Sequence, residues 1–493
     1  MQKKTPLSGD LQTVLDTLRR QFDNSADLTI RNIQVAGKKA ALVSIEGMVD
    51  RHTMADAVIL PLMRIETTDT TPEALMQTIK TTVLGSVDLL EANTIEDLIS
   101  LIISGFAAVL IDGVSYAVLC GLQAFMIRSI SEPSAEMGMR GSREGFTEAI
   151  RINISMIRRR LKTPQLTFEM HTVGKESQTA VCLCYLQNRV SSKLLAEVRR
   201  RLQACPLDMV LDSGYLQPFL EGERRSLFSG VDTTERPDTL CGKIAEGRIG
   251  VLVDGTPFVL VVPYLFSEHF QSMDDYIEHP LFAGFIRIIK YLAFFISLLL
   301  PGLYVAVGTH HVEMMPSALL LSFINAERSA PLSLTAEALL IHFMFEIMRE
   351  AGLRFPKSVG HAVSIVGALV IGESVVSAGL VGAPMVVIVA LTSVSAFVIP
   401  SLYGGIAVLR FGFIILGGAF GIYGVFSGFL LLICSLSAVE MHGIPITAPV
   451  TPFNLKSMRD VFIRSDWRVL SRRLFHVQNV VGSQLKDETE EKP

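Results

Sequence analysis

The sequence contains few cysteines and none of the short motifs that mark catalytic or nucleotide-binding sites. Its 493 residues include six cysteines, and none of them forms a Cys-x-x-Cys pair. Their number and scatter exclude a disulfide scaffold and favour a reducing compartment for the soluble part of the chain. There is no phosphate-binding loop, no Gly-x-Ser-x-Gly and no His-Glu-x-x-His, and the glycines of EGRIG (246–250) lack the context of a dinucleotide site. We therefore expect neither an enzyme nor a bound cofactor.

An excess of charge of one sign is also missing. The chain has 44 Lys and Arg against 48 Asp and Glu, a net charge of −4, so electrostatics gives no reason to expect nucleic acid as a partner. No apolar run follows Lys3 and Lys4, and we expect no secretory signal peptide. His310, His311 and Glu313 are the one tempting group of metal ligands, but adjacent loop histidines diverge and no further ligand is near, so we expect no metal.

The charged residues that are present are distributed unevenly. Residues 281–445 contain 14 charged side chains in 165 positions, whereas the other 328 positions contain 78. With 49% hydrophobic residues and a mean hydropathy of +0.43, this pattern predicts a soluble part followed by a helical membrane domain. We divide the chain into a first α/β subdomain (1–130), a charged helical linker (131–164), a second α/β subdomain (165–280), a transmembrane domain (281–445) and a basic cytoplasmic tail (446–493).

The soluble part contains an internal duplication. LTIRNIQVAGKKAALVSIEG from Leu28 resembles LTFEMHTVGKESQTAVCLCY from Leu166, and GFAAVLIDGVSYAVL from Gly105 resembles GRIGVLVDGTPFVLVVP from Gly247. In each copy the pattern predicts a strand, a turn, a second strand and a helix. A further helix and a second pair of strands follow. We predict two subdomains of one fold, each a small mixed sheet with helices.

An Asp-Gly pair separates the last two strands of each copy. Asp112-Gly113 and Asp254-Gly255 each lie between two β-rich runs. This pair is typical of a two-residue hairpin turn, which needs positive φ at both positions. The joining segment 131–164 is rich in both charges, and we leave open whether it is a solvated linker or a subunit contact made of ion pairs.

Four segments are long and apolar enough to cross a membrane: 288–307, 359–378, 383–400 and 411–437. The stretch 332–352 is ambiguous between an interfacial and a bundled helix, and 314–325 is too short to span. Lys and Arg lie before the first span and in the tail, which predicts cytoplasmic termini and an even number of crossings. A sixth crossing requires the glycine-rich region 405–439 to be split in two.

The predicted spans contain regularly spaced small residues and one acidic residue. Helix packing through small residues is predicted at two sites, which comprise Gly360, Ser364, Ala368, Gly372, Gly417 and Gly421. An adjacent face of the 359–378 helix is predicted to line a pore through Val366, Val370, Glu373 and Ser377. The alternative for Glu373 is a structural acid buried between helices.

The sequence resembles the A subunits of the GerA-type germinant receptors of endospore-forming bacteria. The resemblance rests on words in the same order along nearly the whole chain: IEGMVD (45–50), RGSREGFTEAIRINISMIRRRLKTPQL (140–166), DMVLDSGYL (208–216), TERPD (234–238), EGRIGVLVDGTPFVLVVP (246–263), LPGLYVAV (300–307), FEIMREAGLRFP (345–356), VGALVIGESVVSAGLVGAPMVVIVALT (366–392) and DVFIR (460–464).

The resemblance implies a multi-pass protein of the inner spore membrane, in contact with lipid, whose tandem N-terminal subdomains and tail face the core. It implies a transporter-like B subunit and a lipoprotein C subunit as partners. It further implies a homo-oligomer that conducts monovalent cations when nutrients are sensed. Two alternatives stay open, an accessory channel like the stage V sporulation AF protein and a secondary transporter.

Overall fold

The computed structural model describes most of the chain. The described residues are 4–65, 71–84, 88–123, 133, 136, 138, 140–221, 227–317, 320–321, 323–324, 331–354, 373–454, 457–471 and 475–485.

The first subdomain is built around a five-stranded sheet. The strands pair in the order β1-β2-β4-β5-β3, and every pair is antiparallel. Its elements are α1 (Leu11–Gln21), β1 (Leu28–Val35), β2 (Lys38–Ile45), α2 (Arg51–Met54), α3 (Leu60–Met63), α4 (Pro72–Thr78), β3 (Leu89–Ala92), α5 (Ile95–Ile103), β4 (Phe106–Ile111) and β5 (Ala117–Gly121). Single π-helical turns, Ala55–Ile59 and Ile79–Val83, follow α2 and α4. Alternate residues of β2 and β4 face opposite sides, so α1 and α5 cover one face and α2 to α4 the other.

The second subdomain repeats this arrangement. Its strands pair in the order β6-β7-β9-β10-β8, again all antiparallel. Its elements are α6 (Ile150–Arg160), β6 (Leu166–Val173), β7 (Thr179–Leu186), α7 (Ser192–Gln203), α8 (Gln217–Glu221), β8 (Asp232–Thr234), α9 (Pro237–Ala245), β9 (Ile249–Val253) and β10 (Val259–Val262). The identical strand order is what the internal duplication predicts. The prediction of a mixed sheet is wrong, because every connection reverses the chain direction between neighbouring strands.

The Asp-Gly pairs serve a different purpose from the one predicted. The β4–β5 and β9–β10 connections are each five residues long, and only the glycines, Gly113 at φ +90° and Gly255 at φ +92°, have positive φ. The carboxylate of Asp112 accepts the N–H of Leu11 at 3.1 Å, and that of Asp254 accepts the N–H of Ile150 at 3.1 Å. Each aspartate therefore binds the first turn of the helix that precedes its sheet, where backbone N–H groups lack partners. The prediction of a two-residue hairpin turn at these pairs is therefore wrong.

Gly113 and Gly255 occupy equivalent positions in the two subdomains, so the effect of the same substitution on stability can be compared between them. An added Cβ at Gly113 would lie 2.9 Å from Pro72 Cγ, whereas at Gly255 it would meet nothing within 4 Å. We expect Gly255→Ala to lower the free energy of unfolding by about 1 kcal/mol through backbone strain alone. Gly113→Ala should cost about 2 kcal/mol because Pro72 must also move. Denaturant unfolding of the two variants measures this difference, and equal or reversed losses would contradict it.

The segment between the subdomains is not a solvated linker throughout. The apolar face of α6 packs on the second sheet, and α6 is the counterpart of α1, so the second subdomain begins before residue 164. The side chain of Arg158 is fully buried and pairs with Asp27 of the first subdomain at 2.7 Å and 3.0 Å. It also donates to the carbonyls of Thr163 and Leu166, both at 2.8 Å. Arg158 thus joins the two subdomains within one chain.

The helical region follows a short helix, α10 (Met273–Ile277). It contains α11 (Pro280–His310), α12 (Leu334–Arg354), α13 (Ala383–Phe397) and α14 (Tyr403–Ser437). Two described helices, Pro280–His310 and Pro400–Ser437, are long and apolar enough to cross a membrane, and Ala383–Phe397 is a shorter apolar helix.

Helix α14 folds back on itself, which agrees with the alternative that splits the glycine-rich region 405–439 and not with a single span over 411–437. Gly421 has non-helical angles, φ 61° and ψ −149°. A Cβ added at Gly424 would lie 2.3 Å from the carbonyl oxygen of Leu416, although eight residues of straight helix span about 12 Å. The residues before and after Gly421 are therefore two antiparallel arms.

The chain after α14 returns to the second subdomain. It forms the short strands β11 (Glu440–Met441) and β12 (Ile444–Pro445) and a helical turn, α15 (Trp467–Leu470). Ile444, Ala448, Val477, Val480 and Leu485 complete the core on the α7 face of the second sheet. The described part of the predicted tail is thus packed against this subdomain and is not a free extension.

Candidate functional site

The helical region contains a group of polar side chains on α12 and α14 around one fully buried arginine. Arg410 is fully buried, and its Nε donates to the carbonyl of Ser297 at 3.0 Å. Its Nη1 lies 3.6 Å from a carboxylate oxygen of Glu346. That carboxylate accepts hydrogen bonds from the hydroxyl of Tyr403 at 2.8 Å and 2.9 Å and pairs with Arg349 at 3.0 Å. The carboxylate of Glu346 thus contacts Arg349, Arg410 and Tyr403 between the helices.

The acids of α12 resolve the ambiguity over residues 332–352. Glu337 is fully buried and accepts the N–H of Gly382, at the start of α13, at 2.6 Å. His342, on the same helix, is also fully buried. A helix lying at a membrane surface would expose such groups to water. Helix α12 therefore packs inside the bundle, and Glu337 and Glu346 contact residues of the neighbouring helices.

Most of the predicted pore and packing residues of the 359–378 helix lie outside the described residues: Gly360, Ser364, Val366, Ala368, Val370 and Gly372. Glu373 and Ser377 are described, and both are helical and exposed in the single chain. The structure therefore does not place Glu373 in the buried polar group on α12 and α14.

The small residues of α14 lie at its closest contact with α11. A Cβ added at Gly417 would fall 2.3 Å from the carbonyl oxygen of Gly302, and one added at Gly302 would fall 2.7 Å from that of Phe413. The backbones of the two helices touch here, as small residues allow. Gly421 is the point at which α14 reverses.

The histidines near this reversal are engaged with α14 and a neighbouring acid. A ring nitrogen of His310 lies 2.8 Å from the carbonyl oxygen of Gly418, and His311 lies 3.7 Å from Glu313. Among the described residues, no group of three His, Cys, Asp or Glu could hold a metal ion.

A buried ion network joins the start of α11 to the soluble part and to the C-terminal segment. Arg287 is fully buried and pairs with Asp275 at 2.7 Å and with Asp460 at 2.8 Å. The hydroxyl of Tyr276 donates to the other carboxylate oxygen of Asp460 at 2.7 Å. Arg464 adds a bond to the carbonyl of Glu278 at 3.0 Å. The segments on either side of the helical region therefore meet at one point.

A second buried network lies next to it, on α9, the residues before β9 and the segment after β10. Glu268 accepts hydrogen bonds from Lys243 and Arg248, both at 2.5 Å, and from the N–H of Leu265 at 2.8 Å. Arg248 also pairs with Glu246. Burial acts to raise the pKa of Glu268, but Arg248 and Lys243 outweigh it and hold this pKa at about 2.

Comparison with known protein families gives a match over most of the chain. The model of the Bacillus/Clostridium GerA spore germination protein family matches residues 16–475. The chain belongs to the GerA family.

Two proteins named for spore germination align with this chain over most of their length. The chain is 39% identical to spore germination protein KA of Bacillus subtilis, covering 94% of this chain and 85% of that protein. It is 33% identical to spore germination protein GerLA of Bacillus cereus, covering 97% and 98%. A crystal structure of the N-terminal domain of the A subunit of the Bacillus megaterium spore germinant receptor GerK3 is 30% identical, with 54% of this chain and 99% of that chain covered and a TM-score of 0.44.

Sequence reasoning missed the ionic contacts of this GerA protein, although some of the charged residues fall within quoted family words. TERPD contains Arg236, which is buried and pairs with Asp238 at 2.6 Å. EGRIG contains Glu246 and Arg248, and DVFIR contains Asp460. A charged residue inside a family word is the signal that could have indicated such a contact. The sequence does not reveal which residue is its partner.

Proposed function

We propose that this chain is the A subunit of a nutrient-responsive spore germinant receptor and that it oligomerises in the inner spore membrane into a cation channel. The observation that carries the proposal is the alignment, over 94% of the chain, with a protein named for spore germination. By the same reasoning its partners are a transporter-like B subunit and a lipoprotein C subunit. The alternatives are an accessory channel and a secondary transporter.

The arrangement of the helices supports a multi-span membrane domain. Helix α11 is 31 residues long, and the arms of α14 on either side of Gly421 are near the lower end of the range of about 17–25 residues that cross a bilayer. Asp275, before α11, and Asp460, after α14, bind the same arginine. Both ends of the domain then lie on one side of the membrane, which requires an even number of crossings. We assign that side to the spore core.

The channel part of the proposal rests on Glu373. An acid near the membrane interior is costly unless it faces water or a partner, and Glu373 is exposed in the single chain. In a ring of subunits, Glu373 and Ser377 would face the axis together with Val366 and Val370. The valines would form an apolar constriction, and the glutamates would attract monovalent cations.

Glu373→Gln should reduce nutrient-triggered release of monovalent cations from spores about tenfold while leaving the size of the membrane complex unchanged. The reason is that the amide keeps the shape of the side chain and removes the charge that attracts cations. The measurement is cation efflux after nutrient addition, with the complex sized after solubilisation. Glu313→Gln is the control, because this acid is 75% exposed near the end of α11.

Other outcomes would decide between the alternatives. Normal efflux in Glu373→Gln together with loss of assembly in Glu373→Leu would make Glu373 a structural acid. Germination that needs no nutrient-sensing partner would favour the accessory channel. Saturable, substrate-coupled flux without channel conductance in reconstituted membranes would favour a transporter.

A further inference from the structure

A cavity of about 330 Å³ lies between the second subdomain and the C-terminal segment, next to the start of α11. One wall is α9 and the residues from Tyr264 to Tyr276, and the opposite wall is formed by residues around α15. Its volume is at the lower end of the range of about 300–1,000 Å³ that ligand pockets occupy, which suits a small molecule. It is separate from the proposed pore.

The lining of the cavity is mainly apolar, and four aromatic side chains contribute to it: Tyr264, Tyr276, Trp467 and Phe475. The rings of Tyr276 and Trp467 lie 6.0 Å apart, and the indole N–H of Trp467 donates to the carbonyl of Tyr276 at 3.0 Å. Aromatic faces carry partial negative charge and attract cations. Within the protein, the ammonium group of Lys243 already lies 5.1 Å from the centre of the Tyr264 ring.

The charged residues of the lining are mostly acidic. They are Glu246, Glu268 and Asp460 against the single cation Lys243. The oxygens of Glu268 are occupied by Lys243, Arg248 and the N–H of Leu265, and those of Asp460 by Arg287 and Tyr276. Glu268 and Asp460 are thus already paired with cations of the protein itself, and neither is free to bind a ligand.

Glu246 differs from the other two acids. One of its oxygens pairs with Arg248, and within the described residues no hydrogen bond reaches the other. Its side chain is 32% exposed, at the cavity wall. Phe475 is close to this end, since the guanidinium of Arg248 lies 5.7 Å from the centre of its ring. Glu246 is therefore the carboxylate that a ligand can reach.

We propose that this cavity binds a small amphipathic amine, whose ammonium group pairs with Glu246 and whose apolar body lies among the aromatic rings. A charged partner for the free oxygen of Glu246 would make a charge-assisted hydrogen bond in a partly desolvated site. The bound molecule would bridge the second subdomain and the C-terminal segment, which holds Arg287 at the start of α11 through Asp460. An amine would thereby stabilise the contact between the soluble part and the first helix. Binding itself does not depend on ion conduction by the helices.

Trp467 is the only tryptophan in the chain and lines the cavity, so its fluorescence reports on the site directly. The experiment is a titration of the purified full-length protein in detergent with phenethylamine. We expect a saturable change in fluorescence. 2-Phenylethanol has the same apolar body without the ammonium group, and it should bind at least tenfold more weakly. No saturable change with the amine, or equal responses to both compounds, would overturn the proposal.

Two variants test the location of the ligand. Glu246→Gln should weaken phenethylamine binding at least tenfold, while Glu176→Gln, an exposed acid of the same subdomain, should leave it unchanged. Because Glu246→Gln also disturbs Arg248, Gly242→Leu provides a second variant. An added Cβ at Gly242 meets nothing within 4 Å, and this residue lines the cavity, so leucine should fill part of the space while Glu246 keeps its charge.

Folding of both variants is checked by thermal unfolding, and binding is checked by calorimetry. Loss of binding in a folded Gly242→Leu protein is the expected result. Unchanged affinity in Gly242→Leu, or in a folded Glu246→Gln protein, would place the amine elsewhere and overturn the proposal.

Discussion

Gly417→Ala should prevent stable packing of the helical region, with a loss of about 3 kcal/mol or more in the free energy of unfolding. The added methyl carbon would lie 2.3 Å from the carbonyl oxygen of Gly302, which is backbone and cannot rotate away. Helices α11 and α14 would have to separate along this contact, and their shared apolar core would loosen with them. Thermal unfolding in detergent, together with the yield of monodisperse protein, measures the effect.

The matched control lies five residues earlier on the same helix. A Cβ at Gly412 meets nothing within 4 Å. Gly412→Ala should leave the helical region intact and could stabilise it by up to about 1 kcal/mol, since alanine favours a helix over glycine. The two substitutions are chemically identical and have opposite expected signs. Similar behaviour of both variants would show that the close approach of α11 and α14 is not needed for stability.

Arg287→Met should destabilise the connection between the soluble part and the helical region by about 3–5 kcal/mol. Removing the guanidinium leaves Asp275, which is 3% exposed, without its main partner, and it releases Asp460 in the C-terminal segment. Lys290 lies 3.5 Å from Asp275 and compensates only in part. Denaturant unfolding measures the loss, and limited proteolysis should cut the C-terminal segment earlier than in the unchanged protein.

Arg354→Met is the control for this substitution. Arg354 pairs with Glu350 at 2.7 Å, but its side chain is 79% exposed, so the loss should stay below about 1 kcal/mol. The double variant Arg287→Met with Asp460→Asn should lose less than the sum of the two single variants, because one substitution removes the unpaired charge left by the other. Additive losses would mean that the two residues do not form one network.

The sequence alone determined the features that depend on local composition and repetition. The scarcity of charge in residues 281–445 marked the helical region, and two pairs of similar words marked two subdomains with one strand order. Small residues marked Gly417, which lies at a backbone contact between helices. These signals are readable because apolar burial and close packing constrain residue type along a few turns or strands.

Only the tertiary structure decided which charged residues meet. Arg158 pairs with Asp27, 131 positions earlier, and Arg287 pairs with Asp460, 173 positions later. Asp112 and Asp254 read as turn residues, yet each holds the first turn of a helix far from it in sequence. Gly421 read as a packing residue and is the point at which α14 reverses. A buried charge requires a partner, but many residues can supply one, so sequence shows that a partner is needed and the packing of the whole chain selects which residue it is.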